Sequence, residues 1–560
     1  MPAGEDGGDG PFDDFQRGEG SDSGEVGELI GWSKVDPPEG RQRDAQRLVA
    51  ALQELPGVSW AGVNTPLRRA VIALEPSAPK PSALESSAAP TLAELVDVVD
   101  RVDRDHLEKT GLGDTGTVVG AGTVAAPPTD RGRVDQALWA LAANAAGLVA
   151  SSAGAAVRLT PMPVELAALI TAVDVQPRVR QLLEALVGRP ATDVGLAILS
   201  AAGQGLAGGW FGLAVDAAQR VSALGEAGAA HDAWRAREGE LLADAQHVAA
   251  EPVVVERPRL LPPGQVEVYA EPAALVGLAA AAVALPATGN PRRAAALALA
   301  AVPKAARVGR EAFATGLVRL ISRRGAVVLD SVALRRLDRI DTVVLDADAV
   351  GPEVAEALAA VAHRAGVRQV VRGGGPRLLG TVRSLQSTGA VVLLVSGHRE
   401  ALGNADVGIG VSGADDQPPW GAHVLVGNDL ELAAVVIEAC AAARQVSRRG
   451  VLLSQAGSVL GAVGALTTPR WGSGPARAAM LGVNGAAAGA LVHGRWACQQ
   501  LGRGQLIVPI SQIAWHAMPV DDALDEVKTT PEGLSECRST TGAARRADPS
   551  NRLSPAWPGP

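Results

Sequence analysis

Residues Leu334–Asp346 read LRRLDRIDTVVLD, and Ala405–Gly410 further along the chain read ADVGIG. The first stretch ends in the apolar run DTVVLD, which is typical of a strand covered on both faces of a parallel sheet. Asp346 is the last residue of that run and is predicted to lie at the carboxyl end of its strand.

The sequence around these segments alternates between strand and helix patterns. Ala390–Val395 reads AVVLLV, a second buried-strand run, and apolar residues recur at helical spacing in Pro352–Ala365 and in Arg377–Gln386. Such alternation is typical of a parallel sheet with helices on its faces. We therefore predict that Leu334–Gly413 forms a small doubly wound α/β unit.

Composition narrows the possible functions. The chain has 560 residues, a formal net charge of -9, 47% hydrophobic residues and only 3% aromatic residues. Binding to nucleic acid needs basic residues that neutralise phosphates, so we expect no nucleic-acid partner. The three cysteines, Cys440, Cys498 and Cys537, are too few and too scattered for a disulfide framework or a four-cysteine zinc site.

Several long uncharged windows predict membrane spans, since about 20 helical residues cross a bilayer core. Arginines at their ends, such as Arg292, Arg293 and Arg449, fit the positive-inside pattern. The alternative is a large alanine-rich soluble helical core. We expect about six spans in the cell membrane, with cytosolic domains between them. The windows are 135–158, 193–216, Pro272–Pro291, Gly450–Thr468 and Ala478–Gly494, with a sixth, kinked span running from Ala294 through Pro303.

Two of these motifs resemble the P-type cation-transporting ATPases. In that family a strand like DTVVLD delivers the phosphorylated aspartate of the DKTGT signature, and ADVGI follows a magnesium-binding GDGxND loop. The resemblance makes Asp346 the phosphorylation site and implies ATP and Mg²⁺ as cofactors if the pump is active. Ala347 replaces the signature lysine, and the chain has no lysine between Lys304 and Lys528. Asp346 is therefore interpreted as a vestigial site.

Other parts of the family's machinery are also missing from the sequence. Few residues separate Asp346 from the next matching helix, which leaves no room for an inserted nucleotide-binding domain. The residues before ADVGIG lack the GDGxND aspartates, and no TGES motif of an actuator domain is found. At the kinked span, where pumps carry ion ligands after a proline, Pro303 is followed by Lys304. We therefore expect no bound metal and no resident cofactor.

Residues 46–110 resemble the ferredoxin-like heavy-metal-associated domain that precedes many such pumps. They alternate between helix and strand patterns, with strands at SWAGVN and AVIAL. Metal capture in that domain depends on a CxxC pair, and residues 46–110 contain no cysteine. The fold class is therefore predicted to be an α-helical membrane protein with a reduced, haloacid-dehalogenase-like α/β domain and an N-terminal ferredoxin-like α+β domain that binds no metal.

Residues Trp515–Ser539 read WHAMPVDDALDEVKTTPEGLSECRS and resemble the cytosolic N-terminal motif of calcium- and sodium-pump-like members of the family. This resemblance implies that a second module begins there. The chain is thus interpreted as the degenerate first module of a large two-module bacterial pump, truncated, split or frameshifted soon after the second module starts.

These observations lead to one leading function and two alternatives. The leading interpretation is a catalytically inactive pump module with a regulatory or scaffolding role. Its expected partners are the lipid bilayer and a catalytic P-type ATPase module or a second copy, contacted through the span at Val194–Val215, where Gly205 and Gly209 allow close helix packing. The first alternative is an active pump that phosphorylates Asp346. The second is a haloacid-dehalogenase-type phosphatase that uses Asp346 as nucleophile and Asp348 as general acid.

The predicted domain organisation follows from these assignments. The segments are an acidic disordered tail at 1–45, the heavy-metal-associated-like domain at 46–110, a linker at 111–130, transmembrane helices at 131–220, a cytosolic linker at 221–270, transmembrane helices at 271–325, the reduced phosphorylation-like domain at 326–427, transmembrane helices at 428–503, the pump-like segment at 513–539 and a disordered tail at 540–560.

Overall fold

A computed structural model of the chain describes twelve stretches, all within one unit that spans Met1–Val508. Most of the windows at 135–158 and 193–216, and the whole of Trp515–Ser539, lie outside the described residues. The described stretches are 27–31, 47–64, 67, 69–74, 98, 134–142, 144–145, 210–243, 248, 255–412, 418–468 and 474–501.

The elements are numbered here in chain order. The strands are β1 (Gly27–Gly31), β2 (Val58–Asn64), β3 (Arg69–Leu74), β4 (Val327–Val328), β5 (Thr342–Asp346), β6 (Gln369–Gly373), β7 (Val392–Ser396), β8 (Val407–Val411) and β9 (Val424–Gly427). The helices are α1 (Trp210–Leu241), α2 (Gln265–Thr288), α3 (Pro291–Ala300), α4 (Lys304–Arg323), α5 (Ser331–Leu334), α6 (Ala347–Val350), α7 (Pro352–Arg364), α8 (Leu378–Ser387), α9 (Arg399–Asn404), α10 (Leu430–Thr467) and α11 (Gly474–Leu501).

Strands β4 to β9 form one sheet in the order β4-β9-β8-β7-β5-β6. All neighbours are parallel except β4, which pairs antiparallel with β9. The two strands predicted from DTVVLD and AVVLLV are β5 and β7, and they lie side by side. The predicted parallel-sheet domain is therefore confirmed.

The sheet has a hydrophobic core on each face, which explains its continuous apolar strands. Val343 and Leu345 of β5 face one core, together with α4, α7 and α10. Val344 faces the other core, where α8 and Trp420 cover the sheet. Successive side chains of a strand point to opposite faces, so a strand covered on both sides must be apolar throughout.

Helix α10 links this domain to a helical bundle without a break. It runs for 38 residues, or about 57 Å at 1.5 Å per residue. Its first half, including Leu432 and Val446, is buried in the α/β core. Its second half packs against α3, α4 and α11. One continuous helix therefore belongs to both the α/β domain and the bundle and connects them.

Close backbone approach holds the bundle together. A methyl group on Gly482 of α11 would lie 2.7 Å from the carbonyl oxygen of Gly457 on α10, which is nearer than real side chains come. Gly309 of α4 and Gly494 of α11 also meet backbone to backbone. Small residues at such crossings bring helices into contact where no hydrophobic driving force is available.

Two described helices, α2 and α10, are long and apolar enough to cross a membrane by length and composition. Helix α2 has 24 residues, or about 36 Å, which exceeds the roughly 30 Å of a bilayer core. The sixth span predicted from Ala294 through Pro303 is interrupted, because α3 ends at Ala300 and α4 starts at Lys304. A larger number of spans remains a prediction.

The N-terminal strands form a separate antiparallel sheet in the order β1-β3-β2. Residues 47–53 are helical, and Leu52 packs on this sheet with Ile72. Strand β1 departs from the prediction of a disordered tail at 1–45, because Gly27–Gly31 pairs with residues 69–73 of β3. A fourth strand that would complete a ferredoxin-like sheet is not among the described residues, so that part of the fold remains a prediction.

Candidate functional site at the carboxyl edge of the sheet

Asp346 ends strand β5 at the carboxyl edge of the sheet, as the sequence predicts. Only 5% of the residue is exposed. Its Oδ2 accepts a hydrogen bond of 2.5 Å from the Ser396 hydroxyl at the end of the neighbouring strand β7. Its Oδ1 accepts from the backbone N–H of Asp348 at 3.2 Å and thereby caps helix α6. Both carboxylate oxygens therefore have partners from the protein itself.

Ser396 is part of the same network. Its side chain is fully buried, and its Oγ also accepts a hydrogen bond of 2.8 Å from the backbone N–H of His398. The imidazole of His398 points elsewhere, because its Nδ1 accepts from the N–H of Ala401 and caps helix α9. The network connects the ends of β5 and β7, and the Ser396 hydroxyl donates to the Asp346 carboxylate and not to an imidazole.

Asp348, the predicted general acid of the phosphatase alternative, lies on the exposed side of α6. Its carboxylate packs against the backbone of Gly374 so closely that a side chain on Gly374 would collide with it. Gly374 belongs to the loop Gly373–Gly375, which connects β6 to the next helical turn. A carboxylate therefore lies beside this glycine loop, two residues along the chain from Asp346.

The ion pairs described at this edge of the sheet do not involve the two aspartates. Among the described residues, neither Asp346 nor Asp348 makes an ion pair with a lysine or arginine. The nearest cation on β6, Arg372, pairs instead with Glu356 at 3.3 Å. A γ-phosphate that reacts with a carboxylate needs cations to offset its charge. No group of metal-binding side chains is found among the described residues either.

The aspartate of the ADVGIG motif has a structural role. Asp406 precedes β8, so it lies at the amino edge of the sheet, opposite Asp346. It is 6% exposed, its Oδ1 accepts from Nε of Arg257 at 2.8 Å, and its Oδ2 accepts from the N–H of Val392 at 2.8 Å. The pair holds the segment before α2 against the sheet.

The helical bundle contains a second polar centre at the break between α3 and α4. The Lys304 ammonium lies 2.9 Å from Oδ1 of Asp216 on α1 and donates a hydrogen bond of 2.9 Å to Oδ1 of Asn484 on α11. Asn484 is 2% exposed. Two residues further along the first turn of α4, the N–H of Ala306 donates to the Ser454 hydroxyl of α10. Four helices therefore meet at this centre.

A layer of ion pairs joins the bundle to the α/β domain. Arg335 of the α/β domain lies 3.0 Å from Glu226 of α1 and 2.6 Å from Glu311 of α4. Burial alone would lower the pKa of Arg335, but the two carboxylates raise it above its ordinary value. Asp338 accepts a hydrogen bond of 2.7 Å from Ser447, and burial raises the pKa of this carboxyl.

The sequence located the sheet-edge residues and missed most of the bundle's polar contacts. Asp346 and Asp348 are adjacent at the predicted edge. The sequence places Lys304 at the kinked span, and its described hydrogen-bond partner on α11 is Asn484. Asp216 was not singled out. The signal in the sequence is that Asp216 is a lone aspartate at the end of the uncharged window 193–216. Its partner, Lys304, lies far away in the chain.

Comparison with known proteins gives relatives that agree with the family resemblance. The chain is 28% identical over 623 residues to a "Probable cation-transporting ATPase I" of Mycobacterium tuberculosis, in strain H37Rv and also in strain CDC 1551. The match covers 83% of this chain and 37% of the relative. A protein of the same name from Mycobacterium leprae is 28% identical over 651 residues, covering 89% of this chain and 39% of the relative.

No family model matches the chain. The chain spans less than two fifths of the length of these curated relatives. Together with the parallel-sheet domain and the two apolar helices, the relatives support a relationship to the P-type cation-transporting ATPases.

Proposed function

We propose that this chain is a membrane-embedded and catalytically inactive module of a P-type cation-transporting ATPase, with a regulatory or scaffolding role. The observation that carries the proposal is the hydrogen bonding of the Asp346 carboxylate. This residue stands where the family's nucleophile would stand, yet both its oxygens are hydrogen-bonded within the protein. An aspartate used in this way supports the fold of the domain.

The path of the chain after Asp346 supports the same conclusion. Residues 347–391 are all described, and they form only α6, α7, β6, a short 3-10 turn and α8 before β7 begins. An inserted nucleotide-binding domain would have to lie within this stretch, between the end of β5 and the start of β7. Without such a domain, nothing in residues 255–412 would bring the γ-phosphate of ATP to the carboxylate.

Exposed apolar residues on the bundle support a location in the membrane. Soluble proteins rarely expose large contiguous apolar patches. Apart from Val268 and Trp496, the exposed large apolar side chains of three long bundle helices lie in the stretches that the sequence predicts to cross the bilayer. They are Leu275, Val276, Leu278, Val283 and Leu285 on α2, Leu452, Val459, Leu460, Val463 and Leu466 on α10, and Leu481 and Val492 on α11.

Polar groups at the cytosolic end of this surface fit the same placement. The His493 ring of α11 stacks on Trp496 with 5.9 Å between ring centroids, and Nη1 of Arg449 on α10 lies 3.5 Å from Nε2 of His493. Tryptophan and arginine are enriched where helices leave the hydrocarbon. The α/β domain would then lie in the cytosol.

Carbonate washing of membranes that contain the full-length chain tests the embedding. We expect the chain to stay in the membrane pellet. Recovery in the soluble fraction would contradict the proposal and would favour an alanine-rich soluble core.

Co-purification tests the scaffolding role. We propose that the partner is a catalytic P-type pump, contacted through the span Val194–Val215. Replacing Gly205 and Gly209 with leucine should abolish co-purification with the pump while membrane insertion is retained. A chain that self-associates and retains no pump would instead indicate a homo-oligomer.

A further inference from the structure

The polar centre at the α3–α4 break has the composition of a cation site. It consists of the Asp216 carboxylate, the Asn484 side-chain oxygen and a positive charge, the Lys304 ammonium, which lies 2.9 Å from each. Ionisable groups inside a helical bundle at membrane depth are expensive and are retained where they pair with one another. Here the pair joins α1 to α4, and Asn484 adds α11.

The position of Lys304 in its helix is electrostatically unfavourable by itself. Lys304 is the first residue of α4, and the amino end of a helix carries a partial positive charge that disfavours a cation. The side chain of Lys304 is only 19% exposed, so water provides limited compensation. Asp216, at 20% exposure, supplies the negative charge that allows the ammonium to stay.

The polar centre formed by Asp216, Lys304 and Asn484, called the cradle below, is enclosed by packed helices. Residues next to the charged groups in sequence and space form one apolar cluster, which includes Val215, Ala305 and Ala487. Backbone contact between Ala306 and Gly450 brings α4 and α10 together beside it. The cradle is therefore held by rigid helix crossings and does not depend on a surface loop.

We propose that Asp216 and Asn484 form a binding site for a small monovalent cation and that the Lys304 ammonium is its built-in occupant. The lysine then keeps the site filled and closed to mobile ions. If Lys304 is shortened, the cradle should accept an ammonium or alkali cation from solution. This inference depends on the contacts within the bundle and holds whether or not the module has a regulatory role.

Chemical rescue of Lys304→Ala in the purified full-length chain tests the proposal. Thermal unfolding in detergent is followed in methylammonium chloride, potassium chloride or sodium chloride, with N-methylglucamine chloride at equal ionic strength as the reference. We expect Lys304→Ala to unfold several degrees below the wild type. Methylammonium should recover part of that loss, and the wild type should show no such shift. Recovery by potassium or sodium would support the same site.

The double variant Lys304→Ala with Asp216→Asn is the matched control. It removes the carboxylate that would hold the added cation, so the rescue should disappear. Rescue of equal size in the double variant, or no rescue of Lys304→Ala by any of the three cations, would overturn the proposal. If Lys304→Ala does not accumulate, the amounts of the single and double variants recovered in membranes are compared in place of thermal unfolding. A higher yield of the double variant than of Lys304→Ala would support the proposal, because Asp216 would then be the uncompensated charge that destabilises the single variant. An equal or lower yield of the double variant would overturn the proposal.

Discussion

Asp346 and Ser396 tie two adjacent strand ends together, with the Ser396 hydroxyl donating a hydrogen bond of 2.5 Å to the Asp346 carboxylate. Asp346→Ala should remove this bond and the cap of α6. Both groups are buried, so the loss should cost about 1–3 kcal/mol of stability. Asp348→Ala, two residues away on the exposed side, should cost less than about 0.5 kcal/mol. Thermal unfolding of the two variants compares them, and equal stability would contradict a structural role for Asp346.

Helix packing in the bundle predicts opposite effects for two neighbouring glycines of α11. Gly482 touches the backbone of α10, and a methyl group there would lie 2.7 Å from the Gly457 oxygen. Gly482→Ala should therefore cost about 1–3 kcal/mol. Gly485→Ala meets nothing within 4 Å and should be neutral or slightly stabilising, because alanine favours helix. Unfolding midpoints in detergent measure both, and a stable Gly482→Ala would show that α10 and α11 do not pack in this way.

The ion-pair layer predicts unequal effects for the two carboxylates around Arg335. The Glu226 side chain is 5% exposed, whereas that of Glu311 is 42% exposed. Removing a buried partner costs about 3–5 kcal/mol, while exposed pairs contribute about 1 kcal/mol or less. Glu226→Ala should lower the unfolding temperature far more than Glu311→Ala. A larger loss from Glu311→Ala would mean that α4, and not α1, anchors the domain.

Asp338 predicts a pH dependence of stability. Burial raises the pKa of its carboxyl in the folded state above the ordinary value of about 4. The folded state therefore binds this proton more tightly than the unfolded state. Its contribution to stability is fully present below pH 4 or so and is lost as the pH rises through the raised pKa.

Asp338→Asn should remove this contribution to the pH profile. The amide oxygen can still accept from Ser447, so the variant should be at least as stable as the wild type at neutral pH. Unfolding midpoints of both chains across the acid range measure the difference. Parallel profiles would show that Asp338 is not the titrating group.

The α/β domain was predictable from sequence because its strands are buried on both faces and read as unbroken runs of valine and leucine. Strand β5 and its terminal Asp346 were found in this way. The two-residue strand β4 and the pairing of β1 were not, because short or glycine-flanked segments carry little periodicity. The partners of Lys304 were also hidden, since Asn484 lies 180 residues away and only the helix crossings bring it near.

Labelling with ATP that carries a radioactive γ-phosphate tests the central claim most directly. The full-length chain and Asp346→Asn are incubated in washed membranes, beside a pump with an intact DKTGT sequence as positive control. The hydrogen bonds of Asp346 within the protein, and the lack of an ion pair between it and a described lysine or arginine, predict no acid-stable label on either form of this chain. Label on the wild type that hydroxylamine removes and Asp346→Asn abolishes would contradict the account and establish an active phosphorylation site.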